Sequence, residues 1–188
     1  MTHKNRFTTK KIVLVGVLAA LTFVGSALRI KVPASLFGTS AFHLGNILCA
    51  LSGILLGPWL GGLAAGLGSA IYDMFDPYYI SECWLTFIMK FAYGMAAGLI
   101  IRSGKKDWDY AKALIATICG ALTYALLYLA KTFFYGGLLI NGLTVDAALL
   151  VVVSKLPATT FNIMVAVIAS PLLAMALKKA LKRNHLLP

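Results

Sequence analysis

Residues 56–73 read Leu-Gly-Pro-Trp-Leu-Gly-Gly-Leu-Ala-Ala-Gly-Leu-Gly-Ser-Ala-Ile-Tyr-Asp. Gly57-Pro58 ends one apolar run and starts another, because proline cannot continue a helix but suits the first turn of the next. The new run has no charge until Asp73. It carries Gly61, Gly62, Gly66 and Gly68 with Ala64, Ala65 and Ala70. In water so many glycines would weaken a helix. In lipid, small residues let helix backbones approach closely. The stretch therefore reads as a tightly packed helix inside a membrane.

The rest of the chain agrees. Of 188 residues, 60% are hydrophobic and only 12% are charged, too few for the surface of a soluble domain. A spanning helix needs about 20 mostly apolar residues. Six candidates follow, at about Lys10 to Ile30, Ala41 to Leu56, Trp59 to Met74, Cys83 to Ile101, Ala111 to Tyr135 and Leu149 to Leu177. Val32 to Ser40 reads as a loop. Pro157 and Pro171 are expected to bend or shorten the sixth helix. The expected fold is all-α, one six-helix transmembrane domain over residues 1–188. No secretory cleavage pattern precedes Arg29 and Lys31.

The basic residues orient the chain. Lys4, Arg6, Lys10 and Lys11 precede the first span. Arg102, Lys105, Lys106 and Lys112 flank the connection after the fourth, and Lys178, Lys179, Lys182 and Arg183 follow the sixth. Six spans put all three groups on one side, which the positive-inside rule makes cytoplasmic, so both termini are expected there. The net charge of +11 sits in short blocks between apolar runs, not along a face, which argues against a nucleic-acid partner. Cys49, Cys83 and Cys119 form no metal pattern and read as small buried hydrophobes.

Lys90, Lys131 and Lys155 fall inside predicted spans. A charge there costs at least ~2.5 kcal/mol on insertion scales and usually faces a cavity or a partner. Lys90 lies roughly 10 Å into the fourth span at ~1.5 Å per residue, and the other two lie near outer ends. Snorkelling, or salt bridges to Asp73, Asp76 or Glu82 that only pin helices together, is the structural alternative. Residues three or four apart share a helix face. On that basis Tyr124, Tyr128, Lys131 and Tyr135 form one stripe, and Lys155, Thr159 and Asn162 another. Thr86, Lys90 and Tyr93 form a third. Ser69, Tyr72, Asp73 and Asp76 close the third span, and His43 and Asn46 open the second. All point to the outer half. Interfacial anchoring is the other reading of the tyrosines, and a hydrogen-bonded loop residue that of His43.

In the inner half, Gly16 and Ala20 form a small-xxx-small pair, a candidate docking groove or simple packing. The chain has no G-x-x-x-x-G-K-[ST], H-E-x-x-H or G-x-S-x-G. It shows no catalytic constellation, metal site or cofactor motif. An outer cavity without an engine points to a capture subunit that works with others. A membrane-embedded enzyme or a purely structural membrane protein is the rival class.

His43-Leu-Gly-Asn46, Leu56-Gly-Pro-Trp-Leu-Gly-Gly62, Gly68-Ser-Ala-Ile-Tyr72-Asp73, Asp76-Pro77, Thr86-Phe87 and Lys90 together resemble the S components of energy-coupling factor (ECF) transporters. Gly16 stands where that family's first-helix motif usually has alanine. The resemblance implies a subunit of the bacterial cell membrane that captures a vitamin from outside. It would join a transmembrane T subunit and two cytoplasmic ATPases and topple to release substrate inside. The segment from Arg29 to Phe42 would cover the site, and Gly16 and Ala20 would meet the T subunit. Expected substrate contacts are His43, Asn46, Tyr72, Asp73, Thr86, Lys90, Tyr128, Lys131, Lys155 and Asn162. Among substrate groups the block looks closest to the cobalamin members and unlike the riboflavin, thiamine and biotin members. The three lysines would instead suit an anion such as pantothenate or folate. Pyridoxine is a further alternative.

Overall fold

The computed structural model describes residues 9–33, 39–104 and 107–183. Lys4, Arg6, Lys105 and Lys106, used above for orientation, lie outside the described residues. The chain forms α1 (Thr9–Ala27), a hairpin of β1 (Arg29–Pro33) and β2 (Thr39–His43), α2 (Gly45–Leu56) and α3 (Pro58–Met74). Then come α4 (Cys83–Arg102), α5 (Tyr110–Ala130) and α6 (Val145–Arg183). A 3-10 turn, Ile80–Glu82, leads into α4, and a π-helical segment, Lys131–Ile140, continues α5.

Six α-helices are present among the described residues, as expected, but their lengths differ from the expectation. Thr9–Ala27, Ile80–Arg102, Tyr110–Ile140 and Val145–Leu181 are long and apolar enough to cross a membrane. α2 has 12 residues, or about 18 Å against a hydrocarbon core of about 30 Å. The expected start at Ala41 fails because Thr39–His43 is extended and paired with Arg29–Pro33, Arg29 facing His43. The first helix likewise stops at Ala27. Pro157 and Pro171 do not shorten α6, which runs through both for 39 residues. Each proline leaves one carbonyl without its helical donor, that of Val153 for Pro157, a gap that helices packed in a bundle tolerate by local adjustment.

Gly57 makes the α2–α3 corner at φ 83°, a conformation open to glycine, and Pro58 takes the first helical position. α3 packs on α4 almost backbone to backbone. A Cβ on Gly94 would lie 2.8 Å from the Gly61 carbonyl oxygen and 2.9 Å from the Gly62 Cα. The glycine-rich stretch thus serves close approach, as its composition implied.

One core cluster gathers Val15 and Leu18 of α1, Leu55 of α2, Ile101 of α4, Ala113 of α5 and Ala174 of α6. It therefore brings the start of α1, the α4–α5 connection and the end of α6 to one end of the bundle. Lys178 strengthens that end, lying 2.8 Å from Asp107 and 4.4 Å from the centre of the Trp108 ring. The hairpin and the buried charged residues Asp73, Asp76, Lys90 and Lys155 gather toward the opposite end.

Candidate functional site

Lys90 carries the site. It is 3% exposed on α4. Its ammonium donates to Asn46 Oδ1 and lies 3.7 Å from the centre of the Tyr124 ring. Among the described residues no carboxylate lies within ion-pair distance of it. The Tyr93, Tyr124 and Tyr128 rings stack beside it, with centres 5.8 Å apart at each step.

The other charges pair locally. Arg29, at the foot of the hairpin, lies 3.2 Å from Asp73 and 3.6 Å from Asp76. Its guanidinium also sits over Tyr72 at 4.4 Å and Tyr79 at 5.0 Å. Lys131 donates to Glu82. The hairpin is held to α6 by Asn162, whose Oδ1 accepts from the His43 amide at 3.1 Å and whose Nδ2 donates to the Ala41 carbonyl at 2.8 Å. Two-stranded hairpins are marginal alone, so these anchors are what keep it closed over the bundle. Phe42 adds an edge-on contact to Phe161 at 5.0 Å.

Two cavities open between these residues. The inner one, of about 70 Å³, is lined by Arg29, His43, Asp73, Thr86, Lys90 and Tyr124 among others. The outer one, of about 420 Å³, includes Tyr78, Ser81, Asn141 and Lys155 in its lining. Tyr79, Glu82, Tyr128 and Lys131 line both and form the wall between them. A polar cavity enclosed by otherwise apolar helices is built to hold a solute, because buried polar groups cost free energy unless they meet partners.

The sequence model of the family described as "ECF-type riboflavin transporter, S component" matches residues 6–179. The chain belongs to this family. S components are substrate-binding transport subunits, not enzymes, and work with T and ATPase modules on a vitamin substrate. This S component is accordingly a multi-pass protein of the cell membrane. An "uncharacterized protein in gap 3′region" of Pyrococcus woesei is 30% identical over 114 residues, 61% of this chain and 72% of the relative. A "UPF0397 protein" of Streptococcus pneumoniae (strain Hungary19A-6) is 29% identical over 126 residues, 65% of this chain and 66% of the relative. The match is to the riboflavin-type family, which the sequence block did not resemble most. The cobalamin assignment finds no support in it.

The S component's geometry sorts the expected contacts. His43, Asp73, Thr86, Lys90, Tyr128 and Lys131 line the inner cavity. Lys155 lines only the outer one, so the three lysines do not share one chamber. Asn46 stands behind Lys90 as its hydrogen-bond partner and is 2% exposed. Tyr72 packs on Arg29 and Phe23 and lines neither cavity. Asn162 fastens the hairpin instead of facing the cavity. Tyr135 leaves the expected stripe and packs on Trp84, because the π-helical segment shifts the helical phase after Ala130.

Arg29 is the residue that sequence reasoning missed. It appeared only at the outer end of the expected first span and as the start of the segment expected to cover the site. No local signal in the sequence links it to Asp73 and Asp76, because their pairing needs the hairpin. The alternative role weighed for the lysines is realised at Lys131 with Glu82. It is not realised at Lys90, because Arg29 occupies Asp73 and Asp76.

Proposed function

We propose that this chain is the substrate-capture S component of an ECF transporter, binding a water-soluble micronutrient from the outside for ATP-driven uptake. The observation that carries the reading is the polar, tyrosine-walled cavity around buried Lys90, set in helices whose outer faces are apolar. A T subunit and two cytoplasmic ATPases would supply the work. Six spans with both termini cytoplasmic fit the gathering of basic segments at the bundle end opposite the cavity. α2 would then cross with help from the hairpin and its flanking connections.

Gly16 and Ala20 are the proposed contact with the T subunit. Both are exposed, and a Cβ on Gly16 would meet nothing within 4 Å. That face of α1 is open, while Val15 and Leu18 turn inward.

For the substrate, size argues against cobalamin. Drug-sized ligands occupy pockets of about 300–1,000 Å³, and cavities of about 70 and 420 Å³ favour a ligand at the small end of that range. A smaller micronutrient fits, and riboflavin joins pantothenate, folate and pyridoxine as a candidate through the family match. Co-purification tests the subunit role: the chain should bring down a T subunit and two ATPases, and uptake should require ATP. Uptake of a vitamin by vesicles holding this chain alone would overturn it. Binding of vitamins to the purified chain, cobalamin included, tests the substrate.

A further inference from the structure

We infer that the substrate is an anion that enters charged end first, its carboxylate or phosphate received by Lys90 and His43 in the inner cavity and its body held in the outer one. The inference rests on the capture reading and adds the charge and direction of the ligand.

Three observations carry it. First, Lys90 is buried and lacks a carboxylate partner among the described residues. A buried charge with no counter-charge in direct contact is costly. The neighbouring bases are in direct ion pairs, Lys131 with Glu82 and Arg29 with both Asp73 and Asp76, and the second acid on Arg29 acts on Lys90 only from beyond contact distance. Lys90 meets only an amide oxygen and a ring face, which solvate its charge without neutralising it. Second, His43 Nδ1 is buried with no hydrogen-bond partner among the described residues, and His43 lines the same cavity as Lys90. A ring carrying hydrogen on Nδ1 donates to the same acceptor group. Third, size assigns the parts. The inner cavity, about 70 Å³, is near the space of two waters at ~30 Å³ each. That suits a carboxylate or phosphate better than a ring system. The outer cavity, about 420 Å³, falls in the range of small-molecule sites.

The body would therefore lie against Tyr79, Tyr128 and the Lys131–Glu82 wall, which line both cavities. Charge-assisted hydrogen bonds supply both affinity and orientation in such a site. A neutral analogue would leave Lys90 unmatched.

The test uses matched ligands that differ in charge at one end. These are pantothenate against its alcohol pantothenol for a carboxylate, and pyridoxal 5′-phosphate against pyridoxal, or flavin mononucleotide against riboflavin, for a phosphate. Binding is measured by calorimetry on the purified full chain in nanodiscs. In at least one pair the anion should bind roughly tenfold or more tightly, since a charged hydrogen bond contributes ~1.5–3 kcal/mol and 1.4 kcal/mol is a factor of ten. The pair that shows the preference separates carboxylate from phosphate. Lys90→Met should erase it and Lys90→Arg should retain part of it. Equal or tighter binding of the neutral partner in every pair, in wild-type protein, overturns the inference, whatever the variants do. So does failure of every anion to bind. If the same preparation still brings down the T subunit and ATPases, the capture reading survives that failure. If it does not, both fall.

Discussion

The Arg29 guanidinium lies 3.2 Å from Asp73 Oδ1, joining residues 44 positions apart in the chain. Both side chains are under a tenth exposed. The bond ties the foot of the hairpin to the end of α3, and Asp76 supports it from one turn on. Closure over the cavity and the pairing of two buried acids with a base are thus the same interaction.

Arg29→Ala should therefore be among the most damaging single changes. Removing one partner of a buried ion pair typically costs about 3–5 kcal/mol. Equilibrium unfolding in mixed micelles checks this. Asp73→Asn added to Arg29→Ala should recover part of the loss, because it removes the orphaned charge. A single variant as stable as wild type would show that the acids find other partners.

Asn162 gives a second hold on the hairpin through two hydrogen bonds to β2. Asn162→Leu leaves the His43 amide and the Ala41 carbonyl unpaired, at about 1–3 kcal/mol for each buried group so exposed. Hydrogen exchange at the His43 amide should speed up roughly tenfold or more. Bound substrate should also leave faster. Unchanged exchange would mean that Phe42 on Phe161 and the Arg29 contacts suffice.

Lys131 and Glu82 form the ion pair in the wall between the cavities. Their side chains are 16% and 23% exposed, so water weakens the attraction. A double-mutant cycle with Lys131→Met and Glu82→Gln should give a coupling of about 1 kcal/mol in stability. A coupling near zero would show a wall held by the tyrosines alone.

Glycines on the two faces of the bundle should respond in opposite ways. Gly94→Ala places a methyl group against Gly61 and Gly62, and such overpacking costs about 1–3 kcal/mol. Gly16→Leu points into open space and should leave the unfolding midpoint unchanged while reducing recovery of the T subunit several-fold. Normal recovery with Gly16→Leu would remove that face of α1 from the docking proposal.

Much of this was legible in the residue order. Apolar run lengths, the Gly57-Pro58 corner and the glycine spacing identify a membrane helix bundle because they are local properties. Lys90, Thr86, Tyr128, Lys131, Asp73 and His43 were found as cavity residues from charge in apolar surroundings and helical spacing. That reasoning weakened where the local geometry changed. The π-helical turn after Ala130 moved Tyr135 off its stripe. Proline at 157 and 171 left α6 unbroken, since helices packed in a bundle tolerate a missing backbone bond. The expected helix ends at residues 29–30 and 41–43 instead pair as strands, because strand pairing depends on anchors elsewhere in the chain.

The membrane class and the presence of buried bases follow from composition and order, since insertion energies act on each segment separately. Which acid neutralises which base does not. Asp73, Asp76 and Glu82 were each available to any of the lysines, and only packing gave the first two to Arg29 and the third to Lys131. Electrostatic pairing depends on distance through space, so it took the folded chain to leave Lys90 as the buried base with no carboxylate beside it among the described residues.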